Sequence, residues 1–322
     1  MTTISQPSQS SDGRRKFLFV ASTGGHLAQL VRLSANLDAS VDSQWITFKT
    51  EQSVSLLEGR RVVYVPYVRS RDYLGVIRTL RLARDVFRRE HFDEVVSTGA
   101  ALALGVFPNA RLARIPTTYV ESVSRVKGPS MTGRIVARLR LARTFTQHPS
   151  WSNSSWKVHP SVLSQFDREE KPSPVDSDAP LKIFVTLGTI RPYRFDSLVD
   201  AMLATGLTGD NTTWQLGETD RPTVPGAETQ ITAQEFERYS READVVVTHA
   251  GVGTILGLLE MGIYPVIVPR RKSRGEHVDD HQEQIANLVK TLHVGEVCEV
   301  DELTSETLRR AARYRVVSGV RS

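Results

Sequence analysis

Short apolar runs alternate with longer amphipathic stretches along almost the whole chain. The runs are rich in valine, isoleucine and aromatic residues, which favours β-strands. They are nearly continuous in apolar character, which indicates strands buried on both faces of a parallel sheet. The predicted strands are KFLFVAS (16–22), WITFK (45–49), VVYVP (62–66), EVVST (94–98), TTYVES (117–122), TFTQ (144–147), KIFVTLG (182–188), TTWQLG (212–217), TQITA (229–233), VVVTH (245–249) and PVIVP (265–269).

The stretches between these runs have helical periodicity. Residues 74–89 show it most clearly, because apolar side chains recur every three to four positions and arginines form a separate basic stripe. The apolar positions are Val76, Leu80, Ala83 and Phe87, and the stripe consists of Arg81, Arg84 and Arg88. Strands that alternate with helices in this way predict an α/β protein with doubly wound parallel sheets.

Both halves of the chain begin with the same kind of unit. Runs 16–22 and 182–188 end in small residues and lead into helical patterns, and a segment rich in proline, serine and charge separates the halves. We therefore predict two Rossmann-like domains with ligands bound between the carboxyl ends of their strands. The predicted parts are a disordered tail (1–15), a first domain (16–163), a linker (164–180) and a second domain (181–322) whose last helix is a candidate to pack back on the first.

The basic charge of the chain is concentrated in its first half. Residues 1–160 contain 23 lysines and arginines against 11 acidic residues, a balance of +12, whereas residues 161–322 have a balance of −7. A basic half is typical of a domain that meets nucleic acid, anionic lipid or a phosphate-rich ligand, although a solvated arginine-rich surface is the alternative. The single cysteine, Cys298, suits a reducing compartment. No apolar run is long enough to span a bilayer.

The segment THAGVGTILGLLEMGIYPVIVPRRKSRGEHVDDHQ, residues 248–282, gives the strongest chemical signal. A buried strand ends at His249, Gly251 and Gly253 allow a tight turn, and Thr254 adds a hydroxyl to the start of the next helix. Free amides at such a helix N-terminus form a cradle for a diphosphate, to which His249 is placed to add a donor. Each feature alone also suits a strand–helix turn without a ligand, but the ordered combination favours a nucleotide site.

Three polar residues later in the same segment suit the rest of a nucleotide sugar. Glu260, near the end of the helix, is placed to accept hydrogen bonds from both ribose hydroxyls. His281 and Gln282 follow the next strand and are suited to reading sugar hydroxyls. The ordinary alternatives are a solvated helix end for Glu260 and a helix cap for His281.

This order of residues resembles the donor-binding signature of GT-B glycosyltransferases, in particular glycosyltransferase family 28. The segment is most similar to the catalytic subunit of the enzyme that adds the second GlcNAc to dolichol diphosphate. The likeness extends upstream through IFVTLGT (183–189), where Gly188 and Thr189 would form a second loop over the phosphates. The resemblance implies the GT-B fold, in which two Rossmann-like domains face each other across a cleft.

The first half resembles the membrane-bound partner of that subunit. STGGHLAQL (22–30), with Gly24 and Gly25, is similar to the glycine loop of its acceptor domain and of the peptidoglycan GlcNAc transferase that completes lipid II. Residues 119–151 share its Glu-Ser pair, its Ser/Thr-Gly-basic step and its Gln-x-Pro segment. The likeness covers about residues 16–295, so the chain resembles a fusion of both subunits, as do bacterial capsule and exopolysaccharide transferases. We expect it to lack the partner's N-terminal membrane anchor.

The resemblance implies an inverting transfer of a sugar from a UDP-sugar to a polyprenyl-diphosphate-linked saccharide in cell-surface polysaccharide or glycolipid biosynthesis. Family members of this type generally use no metal, and the sequence has no Asp-x-Asp motif, so no metal or other cofactor is expected. The nearest acidic pair is Asp279-Asp280. Helix dipoles, His249 and cations such as Arg191 would stabilise the departing diphosphate.

The acceptor hydroxyl needs a base, for which His26 is the favoured candidate. It directly follows Gly24 and Gly25, and a neutral imidazole near pH 7 is well matched to proton removal. The alternative is a histidine that caps the glycine loop. Glu121, at the end of a predicted strand, is the second candidate.

Arginines interleaved with apolar residues in segment 134–143 suggest how the acceptor is reached. These are Arg134, Arg138, Arg140 and Arg143. Together with the stripe at 81–88 they are interpreted as an interface with anionic lipid, although a packed helix with surface arginines is the alternative. Arg125 is assigned to the same acceptor side. We expect a cytoplasmic protein that is peripheral on the inner face of the plasma membrane.

Three other functions compete with this hypothesis. A non-hydrolysing UDP-sugar 2-epimerase would share the architecture and the nucleotide cradle. A nicotinamide enzyme is disfavoured because Leu256 replaces the third glycine of Gly-x-Gly-x-x-Gly and Glu260 comes too early for the ribose acid. A non-catalytic scaffold or nucleic-acid binder would leave the ordered motif without a task, and no RNA-binding signature is present. The donor sugar (GlcNAc, Gal, Glc or GlcA), homo-oligomer formation and association with other polysaccharide-assembly enzymes are left open.

Overall fold

The computed structural model describes residues 10–68, 73–172, 179–188, 191–278 and 281–319 of the chain, without the side chains of Tyr73 and His281. It divides into two units, Met1–Val162 and Leu163–Ser322. Each unit contains a parallel sheet connected through helices, which confirms the predicted α/β class with two Rossmann-like domains.

The first unit is built on a seven-stranded parallel sheet with the strand order 3-2-1-4-5-6-7. Its strands are β1 (Phe17–Ala21), β2 (Gln44–Phe48), β3 (Arg61–Val65), β4 (Glu94–Gly99), β5 (Thr117–Val120), β6 (Arg143–Thr146) and β7 (Trp156–Val158). Its helices are α1 (Gly25–Ser34), α2 (Glu51–Leu56), α3 (Tyr73–Arg89), α4 (Ala101–Leu112) and α5 (Met131–Arg138). The strand order reverses between β1 and β4, and ligands of doubly wound sheets bind at the carboxyl ends of the two strands at such a switch point.

Strand β1 explains why the first unit needs helices on both faces of its sheet. All five of its residues are buried. Phe17, Phe19 and Ala21 pack in one hydrophobic cluster with Leu27 and Leu30 of α1. The residues between them, Leu18 and Val20, belong to a second cluster that includes Leu102 and Val106 of α4. Because successive side chains of a strand point to opposite faces, a continuous apolar run requires a core on each side.

The second unit contains a five-stranded parallel sheet with the order 10-9-11-12-13 and a separate antiparallel pair, β8 with β14. Its strands are β8 (Phe166–Glu170), β9 (Ile183–Thr186), β10 (Thr212–Gln215), β11 (Val245–Thr248), β12 (Val266–Ile267), β13 (Glu296–Val297) and β14 (Tyr314–Ser318). Its helices are α6 (Asp196–Ala204), α7 (Ala233–Glu242), α8 (Val252–Glu260), α9 (His281–Leu292) and α10 (Ser305–Ala312). Here the order reverses between β9 and β11, so the ends of these two strands form the second switch point.

The last helix, α10, lies against β11, β12 and β14 of its own unit. Its buried residues include Leu308 and Ala311, which are spaced three apart and therefore lie on one helical face. The second unit therefore covers the apolar face of α10, and packing of this helix on the first domain stays a prediction.

Two segments, TQITA and the predicted linker, differ from the sequence predictions. TQITA (229–233) is not a strand, because Thr232 accepts a hydrogen bond from the Glu235 amide and caps α7. Within the predicted linker 164–180, residues Phe166–Glu170 form β8, which pairs with β14, and residues 173–178 lie outside the described residues. The sequence of β8, FDREE, does not indicate a strand, because it is mostly polar and only Phe166 of its five residues is buried.

The predicted tail and the arginine-rich segment 134–143, for which a packed helix was the alternative, also differ. In the tail, residues 10–15 are tied to the first unit, because the Ser11 amide donates to Asp42 Oδ2 over 2.7 Å and Arg15 forms a β-bridge with Ala39. Residues 1–9 lie outside the described residues. Helix α5 ends at Arg138, since Arg140 adopts a left-handed conformation with φ 49°. Arg143 then begins β6 and pairs with Glu94 over 2.7 Å.

Candidate active site

In the first unit, the turn from β1 into α1 depends on glycine. Gly24 has φ 78° and ψ −145°, a conformation that residues with a Cβ rarely adopt. Its amide donates to Gln52 Oε1 over 2.6 Å, and Gly25 begins α1. Gly24 has no side chain to cap this helix, so the first amides of α1 have no acceptor within the helix or from its N-cap residue.

His26, in the first turn of α1, is fixed by β4. Its Nδ1 lies 2.7 Å from the carbonyl oxygen of Thr98, and the Thr98 hydroxyl donates to the His26 carbonyl over 2.6 Å. Because a carbonyl can only accept, Nδ1 carries the ring proton and the neutral ring presents a lone pair at Nε2. Burial lowers the pKa of His26, although its bond to Thr98 and the charge of Glu121 partly oppose this. The ring is therefore neutral at pH 7 and can accept a proton through Nε2.

Glu121 is fully buried and its carboxylate is occupied by neighbours. Oε2 accepts hydrogen bonds from the amide and hydroxyl of Ser130 at 2.8 and 2.9 Å. Oε1 accepts from the Ser122 amide and the Tyr119 hydroxyl at 3.2 and 3.3 Å. Ser130 in turn caps α5 by accepting from the Gly133 amide. The carboxylate thus holds the start of α5, which favours a positioning role over a role as base.

Two buried glutamines connect the loops at this end of the first sheet, and neither was among the predicted site residues. Gln29 of α1 donates to the Gly25 carbonyl and to Ser122, and its Oε1 accepts from Gln147 over 3.0 Å. Gln147, directly after β6, also donates to the Glu121 carbonyl. The available signal was a polar residue on the buried face of α1, since Gln29 has no exposed surface.

The residues predicted for the acceptor side lie on loops and on α5. Arg125 is partly buried, and its carbonyl accepts from the Trp151 indole over 2.8 Å. Arg134 and Arg138 are exposed on α5. These residues and His26 belong to the first unit, and the structure gives no direct hydrogen bond between His26 and either exposed arginine among its described residues.

In the second unit, two glycines make room for the ring of His249. Gly188 follows β9 with φ 70°, and a Cβ there would lie 2.6 Å from His249 Cε1. A Cβ on Gly251 would overlap His249 Nε2. The ring therefore lies in a slot at the second switch point that two glycines keep open, which accounts for glycine at both positions.

His249 is neutral in this slot. It is 8% exposed, and burial lowers its pKa to about 3, with the charges of Arg270 and His277 acting in the same direction. Nδ1 lies 3.4 Å from the Thr248 hydroxyl, which itself donates to the Thr186 carbonyl over 3.0 Å. The ring proton therefore resides on Nδ1, and donation to a phosphate through Nε2 would require the protonated ring.

The N-terminus of α8 supplies donors that need no protonation. Gly251 is its N-cap and offers no side-chain cap, so the amides of Val252, Gly253 and Thr254 have no acceptor within the helix. Open amides together with the helix dipole attract an anion such as a diphosphate. These amides are adjacent to the His249 slot.

Glu260 ends α8 and is exposed. Gly253, Gly257 and Glu260 are spaced i, i+4 and i+7, so they lie on one face of the helix. Glu260 follows Gly253 by roughly 10 Å along the axis at a rise of 1.5 Å per residue. A ligand whose phosphates meet the helix N-terminus would thus extend along this face towards the carboxylate.

The remaining predicted donor residues are placed differently. Gln282 is buried at the start of α9, and its Oε1 accepts from the Arg270 amide over 3.1 Å, which leaves its NH₂ group as a donor. Arg191 is exposed and pairs with Glu218 over 2.9 Å. His281 begins α9, but its side chain lies outside the described residues, as do Thr189 and the pair Asp279-Asp280. Within the described ranges, no three or more His, Cys, Asp and Glu side chains are grouped as metal ligands.

The neutral His249 predicts an acid-sensitive fold. The pKa of His249 is about 3 in the folded protein against 6.5 for an ordinary histidine, so the unfolded chain binds more protons between these values and stability rises with pH across that window. On lowering the pH from 7.5 to 5, the free energy of unfolding should fall by about 2 kcal/mol through this residue. Urea denaturation of wild type and His249→Asn at both pH values measures it.

The control is His91→Asn, which changes an exposed histidine. We expect it to retain the wild-type pH dependence, whereas His249→Asn should lose this component. Equal pH dependence in wild type and His249→Asn would contradict the neutral, buried ring.

Comparisons with known proteins agree with this geometry. Residues 207–314 match the glycosyltransferase family 28 C-terminal domain. The UDP-N-acetylglucosamine--N-acetylmuramyl-(pentapeptide) pyrophosphoryl-undecaprenol N-acetylglucosamine transferase of Acidovorax sp. (strain JS42) is 25% identical over 334 residues, which cover 92% of this chain and 78% of that protein. The protein of the same name from Xanthomonas campestris pv. campestris (strain 8004) is 23% identical, over 96% of this chain and 76% of its own length.

Solved structures show the same fold at low sequence identity. MurG of Acinetobacter baumannii aligns with a TM-score of 0.52 and 18% identity, over 92% of this chain and 89% of that one. A UDP-N-acetylglucosamine 2-epimerase aligns with a TM-score of 0.53 and 11% identity, over 93% and 91%. The matched domain contains α8, His249 and Gln282. Residues 207–314 are therefore similar to the family 28 C-terminal domain, and we identify the chain as a glycosyltransferase with the GT-B fold.

Proposed function

We propose that this enzyme transfers a sugar from a UDP-sugar to a polyprenyl-diphosphate-linked saccharide, with inversion and without a metal ion. The observation that carries the proposal is the uncapped N-terminus of α8 beside the slot formed by Gly188, His249 and Gly251. It lies at the switch point of the sheet in the domain that matches family 28.

The donor half of the reaction needs an anion site for the departing diphosphate. In this proposal the amides of Val252, Gly253 and Thr254 bind the phosphates, and Glu260 accepts hydrogen bonds from the ribose hydroxyls. In the same proposal the NH₂ group of Gln282 donates to a sugar hydroxyl while its Oε1 accepts from the Arg270 amide. Gly188, Thr189, Arg191 and His281 complete the proposed donor set.

The acceptor half needs a base. His26 Nε2 takes the proton of the acceptor hydroxyl. At the same time the hydroxyl oxygen forms a bond to the anomeric carbon, and the bond from that carbon to the diphosphate breaks. The bond from Nδ1–H to Thr98 fixes the tautomer that leaves Nε2 unprotonated. Glu121 positions the start of α5, and Gly24, Gly25 and Arg125 contribute to the acceptor side.

The choice of acceptor is supported by the relatives and by the surface of the first unit. Both relatives are named for transfer of N-acetylglucosamine to N-acetylmuramyl-(pentapeptide) pyrophosphoryl-undecaprenol. Helix α3 exposes Leu74 and Ile77 near its start and arginines along its length, namely Arg78, Arg81, Arg84 and Arg88. Exposed apolar residues beside arginines are typical of a surface that meets anionic lipid. No helix among the described residues is both long and apolar enough to cross a bilayer.

A transfer assay tests the proposed function. Purified enzyme is incubated with a panel of UDP-sugars and with membrane lipid extract, with and without EDTA, and radiolabel in the lipid phase is counted. We expect label from one UDP-sugar to enter the lipid phase at the same rate with EDTA. Absence of transfer from every UDP-sugar by protein that binds UDP would exclude the transferase.

The same UDP-sugars without lipid test the main alternative. An epimerase shares the fold, as the structural comparison shows, and would convert UDP-N-acetylglucosamine by itself. We expect no epimerised product in this arm. The transferase is favoured because the family 28 match and the two relatives are transferases.

The basic stripe predicts salt-sensitive membrane binding. Replacing Arg81, Arg84 and Arg88 together by glutamine should weaken binding to vesicles with about one third anionic lipid by roughly 100-fold at low salt, at about 1 kcal/mol per arginine. Vesicle flotation at 20 and 500 mM NaCl measures this. The control carries the same charge change on the second unit, in Arg238, Arg241 and Arg313. Equal binding by both triple variants would contradict a docking role for α3. Arg134 and Arg138 of α5 would then be replaced next.

A further inference from the structure

Arg270 is the largest fully buried side chain of the described residues, and it follows β12 at the carboxyl edge of the second sheet. It is 1% exposed. Its Nη2 donates to the Leu187 carbonyl over 2.7 Å, and its Nη1 lies 3.1 to 3.3 Å from three further carbonyls. These belong to Tyr193, Arg194 and Glu276. The guanidinium also lies over the ring of Phe195, 4.8 Å from its centroid.

Within the described residues no carboxylate forms an ion pair with this guanidinium, and the charge of Glu276 only partly opposes the effect of burial on its pKa. The carboxylate of the nearby Glu276 accepts instead from the Arg271 amide, from Arg274 and from Ser197. Arg270 Nε is buried and has no acceptor within the described parts of the chain. Burial lowers the pKa of Arg270 to about 10, so the group remains charged at pH 7. A buried charge that the described carboxylates offset only in part is costly, which favours a further anion near the site.

The carbonyls that Arg270 binds flank the first glycine of the donor site. Leu187 directly precedes Gly188, and the carbonyl partners at 193 and 194 follow it. The Gly188 carbonyl itself accepts from Gln215 over 3.3 Å. The charge of Arg270 also reaches His249, whose pKa it helps to lower. Arg270 thus acts on the residues flanking Gly188 and on His249, which with Gly251 form the slot beside the α8 amides.

We propose that Arg270 is a positioning residue of the donor site, which ties both sides of the Gly188 loop to the end of β12 and attracts the donor diphosphate with a fixed positive charge. Its two Nη groups are directed at backbone carbonyls, so in this proposal it acts on the ligand through its charge and not through a hydrogen bond from Nη1 or Nη2. The inference rests on the proposed function, since the diphosphate is that of the UDP-sugar. Arg270 would thus add a positive charge to the α8 amides, and the sequence motifs did not reveal this charge.

Two substitutions separate the charge of Arg270 from its hydrogen bonds. Arg270→Met keeps an apolar side chain against Phe195 but removes the charge and the donors. Arg270→Lys keeps the charge and loses the planar fork. By calorimetry with UDP, we expect the Kd of Arg270→Met to rise at least about 10-fold and that of Arg270→Lys to stay within about threefold of wild type. The control, Arg310→Met, removes an arginine that pairs with Glu296 on β13, and its Kd should not change.

The imidazole resonances of His249 give a readout that loss of packing alone would not reproduce. In NMR titrations without ligand, the pKa of His249 should rise in Arg270→Met and stay low in Arg270→Lys. If Arg270→Met fails to fold because four carbonyls lose their donor, the UDP affinity of Arg270→Lys still tests the role of the charge. A lysine variant that folds but binds UDP at least 10-fold more weakly would overturn the role of the charge.

The outcomes also separate this inference from the proposed function. Wild-type protein that does not bind UDP overturns the proposed function and the inference together. Wild-type protein that binds UDP, with Arg270→Met binding equally well and an unchanged pKa of His249, overturns the inference alone.

Discussion

Replacing His26 by asparagine is expected to reduce the rate of sugar transfer by about 10²- to 10⁴-fold, the usual contribution of a general base. Asparagine can still donate a hydrogen bond to the Thr98 carbonyl in place of Nδ1–H, but it offers no basic nitrogen in place of Nε2. The variant should therefore fold and bind UDP like wild type, because the donor site belongs to the second unit. Steady-state kinetics with lipid-linked acceptor and calorimetry with UDP measure the two properties.

The pH dependence of transfer provides a second test of His26. Because burial holds the pKa of His26 below its usual value of 6.5, the base is already neutral at pH 7. The acidic limb of kcat/KM should therefore lie below pH 6.5 and disappear in His26→Asn. His91→Asn, which changes an exposed histidine, should retain both rate and profile. Near-normal turnover by His26→Asn would exclude His26 as the base.

The second large effect is expected from Gly188→Ala, which should raise the Kd for UDP at least about 10-fold. The new Cβ would lie 2.6 Å from His249 Cε1, and Gly251 also lies close to this ring. Either the ring moves towards the α8 amides or the Gly188 loop shifts. Both changes disturb the site that we assign to the diphosphate.

Gly206→Ala is a matched control for this substitution. Gly206 has φ 69° against 70° for Gly188, but a Cβ there meets nothing within 4 Å. Both variants should lose about 1–2 kcal/mol of stability from left-handed backbone strain. Only Gly188→Ala should also lose UDP affinity. Equal UDP affinities in the two variants would show that the His249 slot does not shape the donor site.

The sheets of both units could be predicted from the chain alone because buried parallel strands leave a strong signal. Phe17–Ala21 is apolar at every position, and the structure packs alternate residues into two separate cores. The helix over 74–89 was equally clear, since its apolar and basic positions fall on different faces. In these segments, local preference and tertiary packing agree.

Elements held by specific pairing gave no such signal. Strand β8 has the sequence FDREE, and it exists because β14 pairs with it from about 150 residues later in the chain. TQITA alternates like a strand, yet the capping box of Thr232 and Glu235 starts a helix there. Where the periodicity of the sequence is weak, long-range strand pairing and helix capping therefore determine the secondary structure.

The candidate site shows the same division. Gly188, His249 and Gly251 could be found from their order, because a glycine next to a strand end indicates close backbone approach. The role of Glu121 could not be predicted, because its carboxylate accepts hydrogen bonds from Ser130, which lies nine residues further along the chain. Nothing in the run PRRKSR distinguishes Arg270 from the arginines beside it, and only the fold reveals that it is buried against four carbonyls.

The central claim is that the first-turn amides of α8 bind the diphosphate of a UDP-sugar. Titration of ¹⁵N-labelled protein with UDP, followed by amide NMR, tests it most directly. Hydrogen bonds to phosphate oxygens should move the resonances of Val252, Gly253 and Thr254 downfield along one saturable binding curve. Saturable binding of UDP that leaves these three resonances in place, or no binding at all, would contradict the account.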